Sequence, residues 1–127
     1  MEDNAVKIKS FSFALSVIKL YQELVEQREF VISKQLLRSG TSIGANVEEA
    51  LAGQSRRDFL SKMSIASKEA RETLYWLRLL KESQLTTVNV NKAIADADEL
   101  VRLLTSIVKT TGDSMNEIQN SKSKIQN

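Results

Sequence analysis

From Ser10 to Gln27 the apolar residues Ala14, Ile18, Tyr21 and Val25 recur at spacings of four, three and four, which gathers them on one side of an α-helix. A second pattern, over 31–52, places Ile32, Leu36, Ser39, Ile43, Asn46, Val47 and Ala50 within one inward arc when each residue turns the helix by about 100°. The phase of that arc continues through Gly40 and Gly44, so one unbroken helix is predicted there. Two glycines in a helix interior cost up to about 1 kcal/mol each. Close approach of a neighbouring helix is the gain that offsets this, and the charged residues around the pair exclude a membrane dimer motif.

Gly53 provides a stop, and Ser55 followed three positions later by Asp58 has the form of a capping box opening a third helix over 56–82. Its main stripe is Phe59, Met63, Ala66, Ala70, Leu74 and Leu77, and Lys68 and Glu72 stand at the spacing of a helical ion pair. A polar connection around 83–89, with Leu85 tucked inward, leads to a fourth helix over 88–110 carrying Val90, Ile94, Ala97, Val101, Leu104 and Val108, with Gly112 as its terminator. Residues 1–9 are expected to fray, and the Ser-, Asn-, Gln- and Lys-rich 113–127 to form a mobile tail. Four amphipathic helices with short connections predict an all-α, antiparallel up-and-down four-helix bundle over 10–112.

The third and fourth helices carry further apolar residues off the main stripes. Ile65, Trp76, Leu79 and Leu80 on the third, and Leu100, Leu103 and Ile107 on the fourth, are the residues expected to meet another protomer. A homo-oligomer follows as the expectation. Ser39, Gly40, Gly44 and Asn46 are expected to specify packing, the two polar side chains by hydrogen-bonding across to another helix.

Composition removes most chemistry. The 127 residues include no histidine and no cysteine, so thiol nucleophiles, disulfides, imidazole general bases and the usual soft metal ligands are all absent. The carboxylates Glu48, Glu49, Glu69 and Glu72 lack the histidines that complete a carboxylate-bridged metal bundle, and Glu48 and Glu49 fall outside the inward arc. No enzyme, catalytic residue, metal or cofactor is expected. Without a signal segment or a long apolar run, the expected location is the cytoplasm.

Eighteen lysines and arginines against 16 acids give a net charge of +2, which is too small an excess to indicate a polyanionic partner by itself. The local candidates for phosphate contact are Lys34, Arg38, Arg56, Arg57 and Lys62, of which Arg56 and Arg57 stand at a helix start where the dipole does not favour them.

The run from Ser33 through Ala50, with its Arg38-Ser39-Gly40 and Asn46-Val47-Glu48-Glu49-Ala50, resembles the signature of the bacterial four-helix-bundle proteins encoded in intervening sequences of large-subunit ribosomal RNA genes. The segments Arg57–Leu60, Ile65–Thr73 and Tyr75–Leu80 are similar to the third helix of that family, and the resemblance covers residues 8–111. It implies a protomer that assembles into a ring-like homopentamer, with no accepted catalytic residues. Related proteins include the accessory factor of diversity-generating retroelements, which binds nucleic acid and associates with a reverse transcriptase. RNA or DNA, and a further protein, are therefore the partners that the resemblance implies besides a second copy of the chain.

Overall fold

The computed structural model describes residues 2–126. It consists of four helices: α1 (Glu2–Glu26), α2 (Ile32–Ala52), α3 (Arg56–Ser83) and α4 (Asn91–Gln126). Each packs against its neighbours in the order α1, α2, α3, α4 and back to α1, so α1 lies diagonally across the bundle from α3. Cross-helix contacts fix the directions. Gly44 lies against Ser10 and Gly40 against Val17, Glu49 pairs with Lys62 and Arg38 with Glu69, and Arg56 reaches Ser114 while Arg71 reaches Thr105, so successive helices run antiparallel. The up-and-down four-helix bundle is the observed architecture.

The side of α1 that enters the core is not the one its sequence spacing picks out. The inward stripe is Val6, Ser10, Phe13, Val17, Leu20 and Leu24, all buried, whereas Ala14, Tyr21 and Val25 are half-buried and Ile18 is exposed. This helix is apolar on two sides, so periodicity alone does not choose between them. Because Val6 belongs to the buried stripe, the helix begins at Glu2 and the expected fraying over 1–9 is replaced by helix from Glu2 onward; Met1 lies outside the described residues.

The α1–α2 connection places Arg28 at a positive φ of 66°. The start of α2 is capped from behind by Glu29, whose carboxylate accepts hydrogen bonds from the backbone N–H groups of Val31, Ile32 and Ser33 at 3.2, 2.7 and 2.9 Å. The Ser33 hydroxyl donates back to the Glu29 carbonyl at 2.6 Å. A carboxylate there satisfies otherwise orphaned donors and opposes the positive end of the helix dipole. Along α2, Leu36, Ser39, Ile43, Val47 and Ala50 are buried without a break at the glycines.

Gly53 ends α2 with φ −65° and ψ 151°, an ordinary extended conformation, so its role is spatial: an added Cβ would lie 3.2 Å from the Ala50 carbonyl oxygen and 3.3 Å from the Asp58 Cβ. Ser55 then caps α3, its hydroxyl accepting from the Asp58 N–H at 3.0 Å. At the far end of α3, Gln84 turns the chain with φ 58°. Gln27 fastens the α3–α4 connection to the end of α1: its carbonyl accepts from the Thr86 hydroxyl at 2.6 Å and the Thr87 N–H at 2.9 Å, and its amide donates to the Thr87 hydroxyl at 2.8 Å. Leu85, expected to tuck inward, is exposed.

Helix α4 continues far past Thr110. Gly112 does not terminate it, and the stretch read as an irregular tail is helical through Gln126; Asn127 lies outside the described residues. A glycine at negative φ costs a helix only its propensity. Thr111 is buried and Ser114 and Met115 are half-buried, so packing against the α2–α3 end carries the helix onward. Among the described residues no helix is long and apolar enough to cross a membrane.

Candidate functional site

The residues assigned to an oligomer interface divide into those the bundle consumes and those it leaves outside. Leu80, Leu100 and Ile107 are 1%, 1% and 3% exposed and belong to the protomer's own core. Trp76, Leu79 and Leu103 are half-buried, with Trp76 and Leu103 packed against that core. Only Ile65 of the set is exposed. The physical reason is the width of the inward faces: α3 and α4 each lie between two neighbours, so both edges of a broad stripe are covered within one chain.

Among the described residues, more large apolar side chains are left in solvent on α1 than on any other helix. Ile8, Phe11, Leu15 and Ile18 are 69%, 60%, 56% and 42% exposed. Their spacings of three, four and three align them along the outer side of the helix, opposite the buried stripe. This continuous ridge was legible in the sequence as a second apolar set at helical spacing, but the choice of Ala14, Ile18, Tyr21 and Val25 as inward residues concealed it. Flanking it, Lys7 pairs with Glu48 of α2 at 3.7 Å and Lys9 with Glu99 of α4 at 3.2 Å. Those pairs tie α1 to its neighbours, while the ridge between them stays exposed among the described residues.

The polar side chains assigned to packing behave differently from one another. Ser39 and Thr73 place their hydroxyl oxygens 2.9 Å apart in the core between α2 and α3, and the Thr73 oxygen is 2.8 Å from the Glu69 carbonyl. Each hydroxyl has one hydrogen, so Thr73 donates to the carbonyl and Ser39 donates to Thr73. Asn46 makes no cross-helix bond. Its amide turns back to the Ser42 carbonyl at 2.9 Å and the Ser42 hydroxyl at 3.0 Å.

The cations singled out for phosphate contact are largely engaged. Arg38 is held by Glu69 at 3.2 Å and, more closely, by Glu72, and Lys62 pairs with Glu49 at 2.8 Å. Arg56 reaches the Ser114 hydroxyl at 3.4 Å. Lys34 and Arg57 are exposed without an ion pair among the described residues, but Lys34 lies at the α1–α2 end of the bundle and Arg57 at the α2–α3 end. The structure therefore does not bring the five together. Glu72 also accepts a hydrogen bond from the Trp76 indole N–H at 2.9 Å. That bond and, after it, the Arg38 guanidinium hold the Glu72 carboxyl below the usual carboxylate range. The expected Lys68–Glu72 pair is absent because Glu72 faces α2.

An open groove of about 530 Å³ lies at the α2–α3 turn, lined by Gly53, Ser55, Arg56, Phe59, Ile107 and Thr111 among others. Arg56 is its only ionisable side chain. Nothing in it pairs a nucleophile with a base.

Residues 2–106 match the sequence model of a family described as 23S rRNA-intervening sequence protein. A crystal structure of a protein of unknown function from the S23 ribosomal protein family of Bacteroides thetaiotaomicron VPI-5482 is similar at 53% identity with a TM-score of 0.81, covering 86% of this chain and 99% of that one. No curated protein matches. The likeness extends over the bundle and carries no assigned reaction.

Proposed function

Because the chain belongs to the 23S rRNA-intervening sequence protein family, and a crystallised protein similar to it is itself of unknown function, we propose on physical grounds that it acts as a non-enzymatic homo-oligomeric bundle in the cytoplasm. Its α1 ridge is the surface that joins protomers. The observation that carries this reading is the alignment of Ile8, Phe11, Leu15 and Ile18, each more than two-fifths exposed, on one helix whose opposite side already fills the core. Scattered surface leucines are ordinary, but a continuous apolar strip of this length marks a contact surface. Burial of such side chains contributes about 1.5 to 3 kcal/mol each when complete. The family resemblance implies a ring of five as the stoichiometry.

Sedimentation velocity over a micromolar concentration range tests the reading. The wild type should sediment as an oligomer, and Phe11→Glu with Leu15→Glu should reduce it to a monomer with an unchanged helical circular-dichroism spectrum, since neither side chain contributes to the protomer core. A wild-type monomer at all concentrations, or an unaltered oligomer in the double variant, would contradict it.

A further inference from the structure

Helix α3 lies on the diagonal opposite α1, and the charge along it is sorted by side. The carboxylates Glu69 and Glu72 are turned toward α2, where they hold Arg38. On the outward arc this leaves Lys68, Arg71, Tyr75 and Arg78, at spacings of three, four and three, covering about 15 Å at 1.5 Å per residue. None of the three cations is ion-paired among the described residues. Glu82, four residues beyond Arg78, is the first acid on the same arc. The Tyr75 ring, 53% exposed, stands between Arg71 and Arg78 in the sequence and meets the Trp76 ring in a T-shaped arrangement, with ring centroids 5.2 Å apart.

Helix α4 widens the same surface. Arg71 donates to the Thr105 hydroxyl at 3.3 Å, which sets Thr105 beside the ridge. Arg102 and Lys109 lie three residues before and four after Thr105, on the same side of α4. Arg102 is partly neutralised by Asp98 at 3.3 Å, and Lys109 is unpaired among the described residues.

We propose that this α3–α4 face binds single-stranded nucleic acid, with phosphates against Lys68, Arg71, Arg78 and Lys109 and an unpaired base stacked on Tyr75. A line of cations with an exposed aromatic ring among them is the arrangement that tracks a strand and stacks its bases. An anionic membrane would call for apolar side chains to enter the bilayer interface, and between Lys68 and Arg78 the outward arc offers only the tyrosine. The face lies across the bundle from the α1 ridge and shares no residue with it.

Fluorescence anisotropy with a labelled single-stranded RNA of about 20 nucleotides, titrated across salt concentrations, tests the proposal. Binding in the micromolar range is expected, on the order of non-specific strand binding. Lys68→Gln with Arg71→Gln and Arg78→Gln should weaken it at least about tenfold and flatten the logarithmic salt slope by about 2, at roughly 0.7 per phosphate contact. Tyr75→Ala should weaken it about fivefold or more without changing that slope. The same charge change on α1, Lys7→Gln with Lys9→Gln and Lys19→Gln, should leave binding intact. The proposal is overturned by absence of binding, by equal losses in the two triple variants, by a silent Tyr75→Ala with duplex bound as well as single strand, or by tighter binding to anionic vesicles or polyglutamate than to RNA.

Discussion

A Cβ added to Gly40 would lie 2.8 Å from Cγ2 and 2.9 Å from Cγ1 of Val17, inside any real carbon contact. The α1–α2 spacing is thus set by a glycine receiving a β-branched side chain that is itself fully buried. Gly40→Ala gains about 1 kcal/mol of helix propensity and loses about 1 to 3 kcal/mol to overpacking. Net destabilisation is expected in urea unfolding. In combination with Val17→Ala the loss should fall short of the sum of the single variants, because the smaller side chain makes room; strict additivity would show that the two residues do not meet.

Gly112 is the counterexample on the same principle. It lies inside α4, and a Cβ there would meet nothing within 4 Å. Gly112→Ala should therefore stabilise the protein by about 0.5 to 1 kcal/mol, read as a higher thermal midpoint. A decrease would mean that α4 ends near residue 112.

The proton assignment between Ser39 and Thr73 makes an asymmetric prediction. Thr73→Val removes the acceptor of the buried Ser39 hydroxyl and should cost about 1 to 3 kcal/mol, whereas Ser39→Ala leaves Thr73 its donation to the Glu69 carbonyl and should cost about 1 kcal/mol or less. With both changes made together, denaturant unfolding should show recovery of part of the Thr73→Val loss, since no buried donor is then left without a partner.

Trp76, the only tryptophan, reports directly on its bond to Glu72. The Glu72 carboxyl is lower in the folded protein than in the unfolded chain, first through that indole bond and then through Arg38. Its stabilising contribution is complete above the ordinary carboxylate range and is lost as pH falls through the lower folded value. Trp76 emission should accordingly titrate in acid below the ordinary glutamate midpoint of about 4.3. In Arg38→Ala the midpoint should move upward but remain depressed, because the indole bond persists. An unmoved midpoint would show that the guanidinium is not coupled to Glu72.

How much the sequence disclosed depended on how many sides of each helix are apolar. On α2, one arc is apolar and the rest polar, so Leu36, Ser39, Ile43, Val47 and Ala50 were legible as core and the helix was correctly carried through both glycines. On α1, apolar residues occupy two opposite sides, and only the packed bundle distinguishes Phe13 and Val17 from Phe11 and Ile18. The same ambiguity on α3 and α4 assigned Leu80, Leu100 and Ile107 to a partner when neighbouring helices of the same chain cover them. Boundaries failed where a propensity signal competed with packing, as at Gly112. The cationic α3 ridge was obscured because its charges are distinguished by pairing: Lys62 and Arg38 are neutralised by α2–α3 partners, while Lys68 and Arg78 are not. Those partners are distant in sequence and are brought together only by the fold.

Self-association through α1 rather than α3 can be tested directly, because the chain lacks cysteine. Single variants Leu15→Cys, on the α1 ridge, and Ser64→Cys, on the outward side of α3, are alkylated with a soluble maleimide over a range of protein concentrations. Leu15→Cys should react more slowly as concentration rises while the rate at Ser64→Cys stays constant. Equal and concentration-independent rates at the two positions, or protection at Ser64→Cys alone, would contradict self-association through α1.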